Sequence, residues 1–395
     1  MAVTLIGSHS LTHVYGNGFQ VIIPQIYLTL GLTPFETALI GSVQTLSSGA
    51  ASLVVGFLTD MFQHRRGIML AASMGILGLG YGLASIAPFY GLLLMAVAFG
   101  SIGSSLWHPP AVSLLSQRFP RKRGLMISLH RSLGNIGDTV GPIIVGALLT
   151  YAALSWQSVM QLGMPLALAL GVLVLLVLRH VGGSLTMDQQ QAAFRTQMAS
   201  LRQAFQNPAM ATLIGITALR GMGDRAVFFF LPLYLSVDLG MDSFQVGWRL
   251  GLLTALGVVT GPLIGALSDR VGRKPVIVGV MVIGGIIPLL IVPAGSGLAL
   301  VAVLLFGGMF MYSVNSLVQA AALDIVEGQR LEGTFIGLSW GFNSLFNGLS
   351  PLIAGALAQA FGFGITFYYG AALILAGSLL AIRLPALHSS PRHGI

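Results

Sequence analysis

Gly265-Ala-Leu-Ser-Asp-Arg-Val-Gly-Arg-Lys274 lies between two long apolar runs, and Gly56-Phe-Leu-Thr-Asp60 followed by Gln63-His64-Arg65-Arg66 repeats its pattern far upstream. Asp60 and Asp269 are 209 positions apart (269 minus 60). The same offset relates Leu30-Gly31 and Phe35 to Leu239-Gly240 and Phe244, Gly124 to Gly333, and Pro142 with Gly146 to Pro351 with Gly355. One offset held at separate places means two parallel copies of one unit, the repeat relation of many transporters.

Composition places that repeat in lipid. Of the 395 residues 55% are hydrophobic and 8% charged, whereas soluble domains carry about a quarter charged residues. Cysteine is absent, which removes disulfide and thiolate chemistry. The first apolar run starts almost at Met1 without a basic region or cleavage site, so it reads as a retained span.

The sequence pI of about 10.2 does not indicate a nucleic-acid partner, because the basic residues are sorted by loop. Fifteen of the nineteen Lys and Arg fall in alternate short connections or the C-terminal tail, the asymmetry of a polytopic membrane protein with those loops in the cytoplasm. Both termini are then cytoplasmic and the bacterial inner membrane is the expected location.

About 20 apolar residues cross a bilayer. Twelve spans are predicted, near 4–31, 37–60, 67–87, 90–117, 124–152, 156–178, 209–237, 243–268, 275–294, 297–325, 332–361 and 364–383. The fold class is therefore an all-α membrane protein with twelve transmembrane helices in two parallel six-helix repeats. The domains are an N-terminal bundle over 1–178, a cytoplasmic linker over 179–207 with an amphipathic helix, and a C-terminal bundle with a short tail over 208–395.

The Gly-x-Leu-x-Asp-Arg-x-Gly-Arg-Lys loop after span eight, with its copy after span two, resembles the signature loop of the major facilitator superfamily. The resemblance implies a secondary transporter working by alternating access, with a conformational latch at Gly56, Asp60, Arg65, Arg66, Gly265, Asp269, Arg270, Gly272, Arg273 and Lys274. In such a latch an Asp at a helix end accepts N–H groups from the other half in only one state. His13-Val-Tyr-Gly-Asn17, Gly103-Ser-Ser-Leu-Trp-His108-Pro109 and Gly134-Asn135-x-Gly137-x-x-x-Gly141-Pro142 are similar to the fosmidomycin resistance proteins within that superfamily. That likeness implies a proton-driven efflux antiporter for a small organic anion or amphiphilic drug. The family's acidic positions in the first and fourth spans are here Asn17 and Pro110.

Ionisable residues deep in a membrane cost several kcal/mol and mark function. Helical periodicity puts His9, His13, Asn17 and Gln20 on one face of span one and Ser128, Arg131, Asn135 and Asp138 on one face of span five. Arg220 and Asp224 share a face of span seven. His13, Asn17, His108, Arg131, Asn135, Arg220, Tyr312, Asn315, Trp340 and Asn343 are the candidate substrate-binding residues. His13, His108, Arg131 and Arg220 share a layer near mid-depth drawn from both repeats. Two guanidiniums there suit an anion, because each offers paired N–H donors to a carboxylate or phosphonate. Asp138 and Asp224, each with an arginine at helical spacing, are the candidate proton-coupling residues. His9 and His130 read more readily as packing residues than as ligands.

Four histidines at similar depth also raise a metal-transport reading. The arginines rank it below an organic anion, so no metal and no cofactor is expected. Uptake or exchange of an organic anion or a metal complex stays open beside export, as does a non-transporting membrane receptor. The receptor reading is opposed by the very short outer loops. No catalytic nucleophile with its base is readable, so no enzyme activity is expected. The partners are a small-molecule substrate, protons and the bilayer, and the protein is taken as a monomer.

Overall fold

A computed structural model describes residues 1–181, 208–311, 314, 317, 318, 321 and 332–385, with side chains described except at 53, 57, 60, 61, 63, 123, 124, 258, 259 and 332–342. The described residues form helices and no strand. In the first repeat these are α1 (Ala2–Leu30), α2 (Pro34–Met61), α3 (Arg66–Ser85), α4 (Tyr90–Ser105), α5 (His108–Arg118), α6 (Arg123–Thr150) and α7 (Trp156–Leu178). In the second they are α8 (Pro208–Leu233), α9 (Ser243–Ala255), α10 (Gly257–Val271), α11 (Arg273–Ile291), α12 (Leu298–Met311), α13 (Glu332–Phe361) and α14 (Ile365–Ala381). The amphipathic helix expected between 179 and 207 falls on residues outside the described set.

The architecture is the expected one of two parallel helical repeats, and two expected spans are each split. Span four breaks after Ser105 and resumes at His108. Pro109 and Pro110 have no N–H to give to Ser105 and Leu106, so the first helix ends there and the prolines open the second at its first positions. Span eight breaks at Leu256, between α9 and α10.

The repeat is visible in backbone and in packing. Gly31 ends α1 at φ +60°, and its counterpart Gly240 follows α8 and the π turn Tyr234–Asp238 at φ +65°. In the first repeat α1 packs on α6, α3 on α7 and α4, and α2 on α4. In the second the equivalent pairs recur, with α8 on α13, α11 on α14 and α12, and α10 on α12. The two loops of the motif differ. Gly272 passes through φ +95°, a conformation that costs a side chain, whereas its counterpart Gln63 opens a 3-10 turn, Gln63–Arg65.

The chain separates into two compact units, Met1–Phe194 with Gly240–Gly251, and Arg195–Leu239 with Leu252–Ile395. The first has a core of Leu5, Tyr15, Leu70, Met74, Leu77, Trp107 and Leu114, and the second one of Leu213, Ile216, Ile277, Met281, Leu317 and Val318. Among the described residues seven helical stretches are long and apolar enough to cross a membrane. α1 and α8 are long enough but not among them. Both carry deep polar side chains that dilute their hydropathy, whereas α6, which bears Arg131 and Asp138, still passes.

Candidate functional site

In the first unit the site grows from the contact of α1 with α6. Gly134, Gly137 and Gly141 let the two backbones meet: a methyl group on Gly137 would overlap the Ser10 carbonyl oxygen, and one on Gly134 would lie 2.6 Å from His9 Cε1 and 3.0 Å from His13 Nε2. The helices therefore press the histidines of α1 directly onto α6. Asp138 accepts at Oδ1 from Asn17 Nδ2 and lies 2.7 Å from His13 Nδ1. His13 Nε2 is 3.0 Å from His9 Nε2, and His9 Nδ1 is 2.7 Å from the carbonyl oxygen of His130. The His9 and His130 rings stack with centroids 3.6 Å apart. The helix break at Leu106–Trp107 delivers His108 to the same group, 5.1 Å from His9 and 5.8 Å from His13 between ring centroids.

This arrangement revises one expectation. Asp138 does not lean on Arg131: its partners are His13 and Asn17, reached across the helix contact, while Arg131 is exposed. His9 and His130, read as packing residues, stack on each other, and His9 adjoins His13 and His108. Both are buried. Their placement follows from which helix faces which, a relation that one-helix periodicity does not contain. Asn135 is half-buried on α6, one turn before Thr139, whose hydroxyl donates to its carbonyl.

In the second unit Arg220 is buried at 2% exposure and donates through Nε to Asp224 Oδ2 at 2.6 Å. Its Nη1 has no hydrogen-bond partner among the described residues and faces Gly284 of α11, where a methyl group would come within 2.5 Å of it. The Oδ1 atoms of Asn343 and Asn347, one turn apart on α13, both crowd Gly221 and also lack partners among the described residues. The donor faces α11 and the two amide oxygens face Gly221 from α13, and each is a group that a polar ligand would complete, since each unmade bond costs about 1–3 kcal/mol. Tyr312 and Asn315 lie outside the described residues, as does the side chain of Trp340.

The motif residues divide between the units. Arg66 is buried and donates to the Thr59 carbonyl and to Gln117 Oε1 at 2.8 Å, tying α3 to α2 and α5. Arg65 is exposed, and the side chain of Asp60 is outside the described residues. Asp269 is 57% exposed and paired at 2.5 Å with Arg273, which also donates to Ser268 Oγ. Arg270 is exposed and Lys274 half-buried. Gly56 and Gly265 have open space where a side chain would stand.

The sequence model of the Major Facilitator Superfamily matches residues 5–219 and 213–394. An MFS-type transporter of Bacillus subtilis, YfnC, is 26% identical over 95% of this chain and 91% of its own length. The fosmidomycin resistance protein of Escherichia coli is 25% identical over 96% and 92%. Among solved structures, a nucleoside transporter, NupG, superposes with a TM-score of 0.77 at 12% identity over 97% of this chain and 99% of that one, which shows a shared fold.

Proposed function

The chain belongs to the Major Facilitator Superfamily, and from that premise we propose a proton-coupled exporter of a small organic anion that works by alternating access. It is a multi-pass membrane transporter with a small-molecule substrate. The finer reading rests chiefly on Arg220, a buried guanidinium that gives Nε to Asp224 and whose Nη1 has no hydrogen-bond partner among the described residues. A carboxylate or phosphonate accepts from such a group, and a cation is repelled by it. In the first unit Arg131 is an exposed guanidinium on α6 that suits an anion in the same way.

Two observations support export. The relatives include proteins named for fosmidomycin resistance and for aspyridones efflux, the latter 24% identical over 94% of this chain. Coupling is assigned to Asp224, whose carboxylate holds Arg220. A proton arriving there competes with the guanidinium for the carboxylate, so the charge state of Asp224 and the pairing of Arg220 change together. Asp138 is already held by His13 and Asn17 and is assigned the task of orienting His13. The bacterial inner membrane with both termini cytoplasmic remains the location that the loop charges support.

Proteoliposomes loaded with a panel of phosphonates, carboxylates and lipophilic cations test the reading directly. Efflux of an anion stimulated by an inward proton gradient, and weakened in Arg220→Lys, is the expected result. Transport of cations alone, unchanged in that variant, overturns it.

A further inference from the structure

The histidine cluster holds more unspent coordination than proton coupling or substrate binding requires. His9 Nδ1 faces a carbonyl oxygen, which only accepts, so Nδ1 carries the hydrogen and Nε2 presents a lone pair. His13 Nδ1 faces the Asp138 carboxylate, which when ionised also only accepts, so its Nε2 presents a lone pair too. These two lone pairs approach within 3.0 Å. Such an approach needs a hydrogen or a metal ion between the two nitrogens: a neutral hydrogen bond if Asp138 itself carries a proton, a shared proton if it is ionised, or a metal ion.

The rest of the cluster decides between them. A shared proton satisfies His9 and His13 alone. His130, at 1% exposure, has neither ring nitrogen hydrogen-bonded among the described residues. Donor atoms of His9, His108 and His130 all lie within 4.8 Å of one another. A cation centred among them takes one lone pair from each ring once His130 turns out of its stack with His9, whose near-parallel planes 3.6 Å apart keep the two in-plane lone pairs from meeting at one point; a proton cannot join three rings. The outer partners fit as well. Metal-bound imidazoles characteristically give their second N–H to a carboxylate or a backbone carbonyl, and here Asp138 and the His130 carbonyl stand in those places. The His9–His13 separation is close to the nitrogen–nitrogen edge of about 3.3 Å that tetrahedral bonds of about 2.0–2.1 Å produce. Two histidines one helical turn apart are also the spacing that zinc helices use.

We propose that His9, His13, His108 and His130 bind one first-row divalent transition cation, of the zinc, cobalt or nickel class, with Asp138 orienting His13. Imidazole is a preferred ligand for these ions and a poor one for magnesium or calcium. Arg131, exposed on α6, carries the same sign of charge as the ion, so an anion that enters with the ion is attracted to both. The site lies wholly in the first unit and stands whether the protein exports or imports, so its test is independent of the transport reading.

The experiment uses the purified full-length chain, stripped with a chelator and titrated with zinc(II), then with cobalt(II), whose visible spectrum reports coordination number. One saturable zinc per chain and a tetrahedral cobalt spectrum are expected. His108→Gln and His130→Gln should each weaken binding about tenfold or more, and Asp138→Asn about 10- to 100-fold as an outer-shell change. Replacing His64, His180, His388 and His393 together by Gln should leave it intact. No saturable binding by the parent protein, which would leave the shared proton as the occupant, overturns the proposal. So does binding that survives the cluster substitutions or vanishes with the four remote ones. If the cluster variants do not fold, the cobalt spectrum of the parent decides, and an octahedral spectrum counts against the site.

Discussion

Arg220 and Asp224, one turn apart on α8, form a 2.6 Å ion pair that leaves the outer guanidinium nitrogen facing Gly284 of α11. Isolated i, i+4 pairs contribute only tenths of a kcal/mol. Buried in a bundle the relation changes character, because removing either partner strands the other charge at a cost of about 3–5 kcal/mol. The pair is therefore poised to hand its guanidinium to another anion.

Asp224→Asn should uncouple transport from an imposed pH gradient while retaining exchange of substrate down its own gradient. Arg220 is the cation that this carboxylate pairs with among the described residues, and asparagine keeps the side-chain shape without the charge. Proteoliposome flux at matched and opposed pH is the measurement. Gradient-driven flux equal to the parent's would remove Asp224 from the coupling mechanism.

Arg220→Lys and Arg131→Lys keep the charge and lose the forked donor geometry. Each should weaken an anionic substrate by about 10- to 100-fold, the worth of one charge-assisted hydrogen bond, with His108→Ala costing less. Equilibrium binding to the purified variants reads this. Undiminished affinity in both lysine variants would assign the arginines a structural role.

Gly137→Val should destabilise the first unit by about 1–3 kcal/mol, because any side chain there overlaps the Ser10 carbonyl and must part α1 from α6. Gly56→Ala, where the space is open, should have little effect on stability. Melting temperatures of the two purified variants give the comparison, and equal values would refute the close contact as the source of the site's geometry.

Asp269→Asn breaks a 2.5 Å pair with Arg273 and should shift the balance of conformers and slow turnover with substrate contacts intact. Asp60→Asn should do less, because its loop has Gln63 where the second copy has Gly272. Labelling of single cysteines placed at the inner and outer helix ends measures the shift. Identical accessibility in both variants and the parent protein would sink the latch.

Much of this protein was settled by the chain alone. Helix positions followed from apolar runs whose length the bilayer dictates, and the repeat from an offset of 209 that reappears as matching left-handed glycines at 31 and 240. The deep polar residues were legible because lipid makes each of them conspicuous. What periodicity could not supply was the partner of each polar face. Arg131 and Asp138 share a face of α6, yet Asp138 pairs with His13 because Gly134 and Gly137 bring α1 within contact there, and His108 reaches them only because prolines break the fourth span. Periodicity assigns a side chain to one side of its own helix. The rotation and closeness of two helices are decided by packing between backbones, and only the tertiary structure carries that term.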